Sequence, residues 1–314
     1  MIPICFTGQY KWDYTAKFMD NLVSNYNGVA DQKLYYSYSG TATKLVKMNG
    51  SGKVDLSGGK VQLESKEITT ATGYELAREA GIYYAADFLE RLAKGGVNNP
   101  EYVMEDSFGE IFTHKQAQKA FLNNESLMLI DGDWWLTEAG SSISAADKKT
   151  RKFGWMPLPH ATSEQVGEKQ VYTDNMASCA AVRAGLGDVS KELALNFIKD
   201  FYTDDNLVEF TKTTNTFIGV NYKAALEAAK SELTPYAVSL NNYIQNADVM
   251  YQISNVNFFN LNYTKLQSVQ YYIVGNKNKQ PLQYMIEDCK NSSDMSKDYF
   301  EAFYAGMKED TIWK

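Results

Sequence analysis

Residues 120–134 read AFLNNESLMLIDGDW. Lys115 to Leu122 has helical spacing, a polar turn follows, and Leu127 to Ile130 is a short apolar run that predicts a buried strand. Gly132-Asp133-Trp134 comes directly after this run, at the strand end where α/β proteins place their ligands. The pattern predicts an α/β layer with a binding wall at this turn.

Helical and strand-like patterns alternate on both sides of residues 120–134, which is typical of α/β proteins. Apolar residues at helical spacing predict helices at Tyr14–Asn25, Tyr74–Lys94, Leu136–Lys148, Tyr263–Val274, Leu282–Lys290 and Tyr299–Met307, and a further helix capped by Ser190. Apolar runs predict strands at Phe153–Met156 and Met176–Val182. Two β-prone pieces separated by glycines, Leu34–Tyr36 and Lys60–Leu63, predict a small hairpin-like insertion between Leu34 and Thr72.

Length and composition describe a two-lobed globular protein with an acidic surface. The chain has 314 residues, more than the ~250–300 at which one core stops growing. Its net charge of −7 argues against nucleic acid, because phosphate-binding surfaces need clustered Lys and Arg. The 22 tyrosines, 15 phenylalanines and 5 tryptophans suit either an aromatic core or a surface that stacks on sugars.

Cysteine spacing and hydropathy do not identify the cellular compartment of the protein. Cys5, Cys179 and Cys289 lie far apart and form no CxxC pair, so no zinc knuckle or redox motif is predicted. No apolar run approaches the ~18 residues of a membrane span. The first residues lack the basic start and long apolar region of a signal peptide, so an exported form would carry its signal on a segment upstream of residue 1.

Few residues in the chain suit catalysis. The two histidines, His114 and His160, accompany no GxSxG elbow, and no GxxxxGK[ST] loop is present, which disfavours triad chemistry and nucleotide cofactors. Asp131 and Asp133 form the best carboxylate pair for a glycosidase. Because an i, i+2 pair does not ensure the required carboxyl separation, we favour binding over hydrolysis.

Residues 120–134 resemble the motif of extracellular solute-binding protein family 1, the sugar-binding proteins of ABC importers. This chain departs from the pattern at Asn124-Glu125, where the family has Gly-Lys, and at Leu127, where Ala is common. Two further blocks are similar to the family. Residues 154–159, GWMPLP, match a strand and loop, and residues 180–182 with 190–198 match a crossing strand and the helix beyond it.

The resemblance implies a periplasmic-binding-protein-like type II clamshell of two α/β lobes, with the N-terminal lobe incomplete. Residues 1–172 would form the first part of the C-terminal lobe, and residues 236–314 its helical completion. Residues 173–235 would be a returning segment of the other lobe. We expect residues 173–235 to expose apolar faces, because strands that would cover them are absent from the chain.

The resemblance also implies the ligand-binding residues. Trp134 matches the tryptophan that stacks on a sugar ring, and Tyr10 and Trp12 match aromatics ahead of a C-lobe helix. Asp131, Asp133, Asp174 and Asn175 would hydrogen-bond sugar hydroxyls. Tyr263 lies near a late aromatic position of the family, together with Phe258 and Phe259.

The implied function is capture of a mono- or oligosaccharide for an ABC importer by hinge closure, without a reaction, a cofactor or a metal. The implied partners are the carbohydrate and the permease subunits in the membrane, and the full-length protein would be monomeric. Its place would be extracellular, as an anchored lipoprotein or in the periplasm. Two alternatives stay open at this point: a carbohydrate-active enzyme using Asp131 and Asp133, and a receptor subunit that reports to a sensor kinase.

Overall fold

The computed structural model describes residues 1–9, 14, 16–98, 103–104, 107, 111–143, 151–175, 181–252, 295–309 and 313. The fold is mixed helix and sheet, consistent with the predicted α/β class. The helices are α1 Ala16–Asn27, α2 Val29–Gln32, α3 Leu34–Ser37, α4 Ala80–Asn98, α5 His114–Leu122, α6 Trp135–Glu138, α7 Asp188–Phe201, α8 Asp204–Thr214, α9 Lys223–Ala228, α10 Pro235–Asn246 and α11 Met295–Glu309. The strands are β1 Ile2–Cys5, β2 Gly40–Val46, β3 Leu63–Ile68, β4 Ser126–Leu129, β5 Val171–Asn175 and β6 Asp248–Gln252.

Within the described residues the strands pair two by two. β1 and β4 are parallel, with Ile4 opposite Met128. β2 and β3 are antiparallel, and β5 pairs with β6. The parallel pair positions the candidate site, since the chain leaves β4 directly into residues 130–134.

The chain forms two compact units. Unit 1 comprises Met1–Gly132, Leu158–Val171 and Phe259–Lys314, and unit 2 comprises Asp133–Pro157 and Tyr172–Phe258. The predicted lobe boundary after residue 172 lies beside one of these divisions, and the predicted boundary after residue 235 lies inside unit 2. The assignment of lobes stays a prediction.

The core of unit 1 is helical. α1 packs on α4, and α11 packs on α4 and on the 3-10 turn Gly73–Arg78. The buried faces carry apolar side chains at helical spacing, among them Met19, Leu89, Phe300 and Phe303. Their removal from water supplies most of the stabilisation, at about 25 cal/mol per Å² of apolar surface.

The predicted hairpin insertion is present in unit 1. β2 and β3 form its ladder, and beyond them Met48 bridges Val54 across a tight turn. The Asn49 side chain shapes that turn, because its Oδ1 accepts hydrogen bonds from the Ser51 and Lys53 backbone N–H groups at 3.0 Å. Glu301 of α11 accepts a 2.8 Å bond from the Val54 N–H, which ties the hairpin to the helical core.

The core of unit 2 is unusually aromatic. Tyr172, Phe217, Tyr222 and Leu240 are buried together, and Trp155 packs against them. Tyr172 meets Phe217 edge to face, whereas Phe217 and Tyr222 stack. Many of the surplus aromatic residues in the sequence therefore fill a core, one of the two uses predicted for them.

One helix of unit 2 leaves its apolar face in solvent. On α7, Leu193 and Phe197 are each 70% exposed, and no residue of the helix is buried. The exposed apolar face predicted for residues 173–235 is thus present. The next helix, α8, differs because Leu207 and Thr211 are buried in the unit 2 core.

Several sequence-based element predictions are wrong, for physical reasons. Leu34–Tyr36 is helical, and the buried Tyr35 hydroxyl contacts the Leu76 carbonyl and the Glu79 carboxyl group instead of facing a neighbouring strand. The run Leu127–Ile130 is a strand but not buried: Leu127 is 58% exposed, since β4 pairs with β1 alone among the described strands. Phe153–Met156 forms no strand; its Trp155 N–H bonds to Ser239 Oγ instead of to a ladder.

Other predictions differ at their ends or fall on residues outside the described part of the chain. The helix predicted from Tyr74 begins as a 3-10 turn and continues as α4, and Gly187, not Ser190, caps α7. The helix predicted at Leu136–Lys148 is α6 with a 3-10 turn at Ala139–Ser141, and residues 144–150 lie outside the described part. Helices predicted at 263–274 and 282–290, and strand residues 176–180, also lie outside it. The helix predicted at Tyr299–Met307 is confirmed within α11.

Candidate functional site

The candidate site begins where the chain leaves β4 in unit 1. Ile130 N–H donates to the Cys5 carbonyl at 3.0 Å, which prolongs the parallel pairing by one step. Asp131 then accepts bonds from Gln118 Nε2 at 3.0 Å and from the Gly132 N–H at 2.7 Å. Asp131 therefore fixes the turn to α5 through protein donors.

Asp133 is the first residue of unit 2 and organises its surroundings. Its Oδ2 accepts a bond from the Tyr172 hydroxyl at 3.0 Å and one from the Phe217 N–H at 3.1 Å. Its carbonyl oxygen accepts a further 3.0 Å bond from the Tyr236 hydroxyl. Three distant segments of unit 2 are thereby joined at one residue, two through its carboxylate and one through its carbonyl oxygen.

The two tryptophans that follow Asp133 have opposite environments. Trp135 is only 6% exposed and meets Phe153 and Tyr236 edge to face, with centroids 5.1 and 6.1 Å away. Trp134 is 42% exposed. Trp135 therefore belongs to the core, and Trp134 lies at the surface.

Two polar residues that the motif did not indicate lie on the same face as Trp134. Thr137 and Glu138 are exposed and follow Trp134 by three and four residues along α6. The Thr137 hydroxyl bonds to the Thr214 carbonyl, which anchors this face to the end of α8. The i, i+3 and i, i+4 spacing was the available signal, because such residues are neighbours on a helix.

The other predicted site residues are only partly described. Asp174 and Asn175 lie at the end of β5. Tyr10, Trp12 and Tyr263 fall outside the described residues, as do Phe258 and Phe259. The structure therefore brings together Asp133 and Trp134 in unit 2 and places Asp131 in unit 1.

Reactive groups are scarce around the site. The pKa of Cys5 is raised to about 11, chiefly by burial; a hydrogen bond with Ser126 lowers it, and the Asp131 and Glu125 charges add to the rise. Cys5 therefore stays a thiol at neutral pH, which is the unreactive form. His114 begins α5 and stacks on Tyr14, and His160 lies in a loop. Across the described ranges, no group of three or more His, Cys, Asp or Glu could hold a metal ion.

Comparison with protein-family models, curated proteins and solved structures finds no match for this chain. None of the described helices is long and apolar enough to cross a membrane.

Replacing Asp133 by alanine is expected to lower the unfolding free energy by about 1–3 kcal/mol. The substitution leaves the Phe217 N–H and the Tyr172 hydroxyl without their acceptor. Urea unfolding followed by circular dichroism measures the change. Asp133→Asn keeps one acceptor oxygen and should cost less; equal stability of Asp133→Ala and the wild type would contradict the anchoring role.

Proposed function

We propose that this chain is the solute-binding subunit of a carbohydrate importer of the ABC class and that it stacks its sugar on Trp134. The supporting observation is that Trp134 is 42% exposed, while hydrogen bonds to Asp133 and the packing of Trp135 hold the residues on either side of it. A tryptophan face covers the apolar face of a pyranose at low entropic cost, because its side chain has only two rotatable bonds. The ligand is expected to be a mono- or oligosaccharide.

The surroundings of Trp134 support a binding role. The residues on either side of it in sequence are held by the Asp133 hydrogen bonds and by the packing of Trp135. A stacking ring needs such fixed support, since any conformational entropy that the site loses on binding reduces the affinity. Thr137 and Glu138, on the same helix face, add a hydroxyl and a carboxylate of the kind that orients sugar hydroxyls.

The two-lobe clamshell is part of the proposal. The chain passes between unit 1 and unit 2 at Gly132/Asp133, at Pro157/Leu158 and at Val171/Tyr172. Repeated passage between two compact units is expected of a protein whose lobes close on a ligand. Delivery to membrane permease subunits, and an extracellular or periplasmic place, belong to the same proposal.

The carbohydrate-active enzyme is the weaker alternative. Both candidate carboxylates already accept bonds from protein donors, Asp131 from Gln118 and Asp133 from Tyr172. These bonds indicate structural roles for both carboxylates, whereas a glycosidase needs its two carboxylates facing one scissile bond. We therefore propose binding without turnover, and expect no release of reducing sugar from glycosides.

Thermal-shift measurements against a panel of mono- and oligosaccharides test the proposal. At a free sugar concentration of about one hundred times Kd, the stabilisation should reach about 2.7 kcal/mol. Trp134→Ala should abolish the shift, whereas Trp134→Phe should retain part of it. Tyr202→Ala is the matched control, because Tyr202 is a similarly exposed aromatic of unit 2, at 45%. The absence of a shift with every sugar, or a shift that survives Trp134→Ala, would refute the proposed site.

A further inference from the structure

Glu79 of unit 1 is a carboxyl group with no access to water. It is 0% exposed and lies between the 3-10 turn Gly73–Arg78 and α4, and its backbone bridges Leu45 of β2. Three side chains bond to one of its oxygens, Oε2: Asn27 of α1, Gln32 of α2 and Tyr35 of α3. Glu79 thus joins the elements that form this side of unit 1.

The second oxygen, Oε1, is buried and has no hydrogen-bond partner among the described residues. In an ionised carboxylate both oxygens carry charge, and a buried charged oxygen without donors is very costly. In a neutral acid Oε1 is an ordinary carbonyl oxygen, for which the cost is much smaller. The arrangement therefore suits the neutral form.

The number of protons shared by Tyr35 and its two neighbours also favours the neutral form of Glu79. Its hydroxyl lies 2.6 Å from Glu79 Oε2 and 3.3 Å from the Leu76 carbonyl oxygen. A tyrosine has one hydroxyl proton and cannot donate fully to both oxygens. If Glu79 Oε2 carries a proton, it donates to the Tyr35 oxygen, and Tyr35 donates to Leu76. Every proton then has an acceptor.

The charges that face Glu79 favour the same state. Asp31 of α2 is the nearby carboxylate, and Tyr35 of α3 is the other ionisable neighbour; Asn27 and Gln32 are neutral amides. In the described part of the chain no Lys, Arg or His pairs with Glu79; the adjacent Arg78 pairs with Glu75 and Glu64. Burial raises the pKa of Glu79 well above its ordinary value and the Asp31 charge adds to the rise, against the lowering hydrogen bonds from Tyr35 and Asn27. The start of α4 opposes this only weakly.

We propose that Glu79 carries its proton on Oε2 in the folded protein and that its contribution to the stability of unit 1 falls as the pH rises. A group that binds its proton more tightly when folded stabilises the fold most at low pH. The stabilisation is fully present below the ordinary glutamate pKa of about 4.3. It is lost as the pH rises toward the higher folded value.

Urea unfolding of the wild type and of Glu79→Gln from pH 4 to pH 8 tests this proposal. Glutamine copies the neutral acid in shape and in its lack of charge. The ratio of the two unfolding constants should change by up to tenfold per pH unit above about 4.3, with the wild type losing stability relative to the variant. Glu67→Gln is the matched control, since Glu67 is an exposed carboxyl on β3 of the same unit, and it should keep the wild-type profile.

Parallel pH profiles of the wild type and Glu79→Gln would overturn the proposal. Infrared absorption of the wild type at neutral pH is a second test that needs no variant to fold, because only protonated carboxyl groups absorb at their characteristic carbonyl stretch. A band that Glu79→Gln removes supports the proposal, and if that variant fails to fold the band in the wild type supports it. The absence of a band at neutral pH overturns it.

Discussion

Arg78→Met is expected to lower the unfolding free energy by about 3–5 kcal/mol, the cost of removing one partner from a buried ion pair. Arg78 and Glu75 have side chains that are 4% and 2% exposed, and their Nε and Oε2 atoms are 2.5 Å apart. Methionine keeps most of the packing volume. The loss of unfolding free energy therefore measures the cost of leaving the Glu75 charge unpaired by Arg78 in the core.

Arg78 contacts several parts of unit 1 besides Glu75. Its guanidinium also bonds to Glu64 and, at 3.0 Å, to the Val46 carbonyl of β2, and it lies over the Tyr304 ring. Burial raises the pKa of Glu75, but Lys66 and Arg78 outweigh it and hold that pKa below its ordinary value. The pair thus contributes stability above the ordinary glutamate range, which is lost as the pH falls.

Lys66→Met is the control for Arg78→Met. Lys66 bonds to the same Glu75, but its side chain is 43% exposed. Pairs that water can reach contribute about 0–1 kcal/mol, so this variant should lose far less stability in urea unfolding. Arg78→Met/Glu75→Gln should recover part of the Arg78→Met loss, because it removes the unpaired charge. Equal losses for Lys66→Met and Arg78→Met would contradict the buried-pair interpretation.

Trp135→Ala is expected to cost about 3–5 kcal/mol, whereas Trp134→Ala should change stability by no more than about 0.5 kcal/mol. Trp135 is 6% exposed and contacts Phe153 and Tyr236, so its removal leaves a cavity in unit 2. Trp134 is 42% exposed and its removal leaves none of comparable size. The two neighbouring tryptophans should therefore separate stability from binding.

Denaturant unfolding followed by circular dichroism measures both tryptophan variants. Hydrogen exchange should locate the Trp135→Ala loss in the α10 region, where Tyr236 is buried. Trp134→Ala should keep wild-type protection while losing any sugar-induced thermal shift. Similar losses of stability in the two variants would mean that the different burial of the two rings does not govern their roles.

Local patterns predicted much of the fold. α5, the body of α1 and α4, and α11 follow apolar residues at helical spacing. The hairpin lies between Leu34 and Thr72 as its glycines predict, although its strands do not coincide with the two β-prone pieces. Hydrophobic periodicity and turn residues predict these elements, because each element depends on neighbours within a few residues. Phe153–Met156 had the composition of a strand, but its partners lie far away in sequence, and no ladder forms there.

The sequence by itself determined that a turn bearing Gly132-Asp133-Trp134 follows a short apolar strand, and that this turn carries a tryptophan. Only the tertiary structure decided that Trp134 faces solvent and Trp135 the core, and that Asp133 joins Tyr172, Phe217 and Tyr236. The same holds for Glu79, an unremarkable glutamate in the sequence. The physical reason is that burial and hydrogen-bond partners come from segments 39 to 103 residues away, and no local pattern contains them.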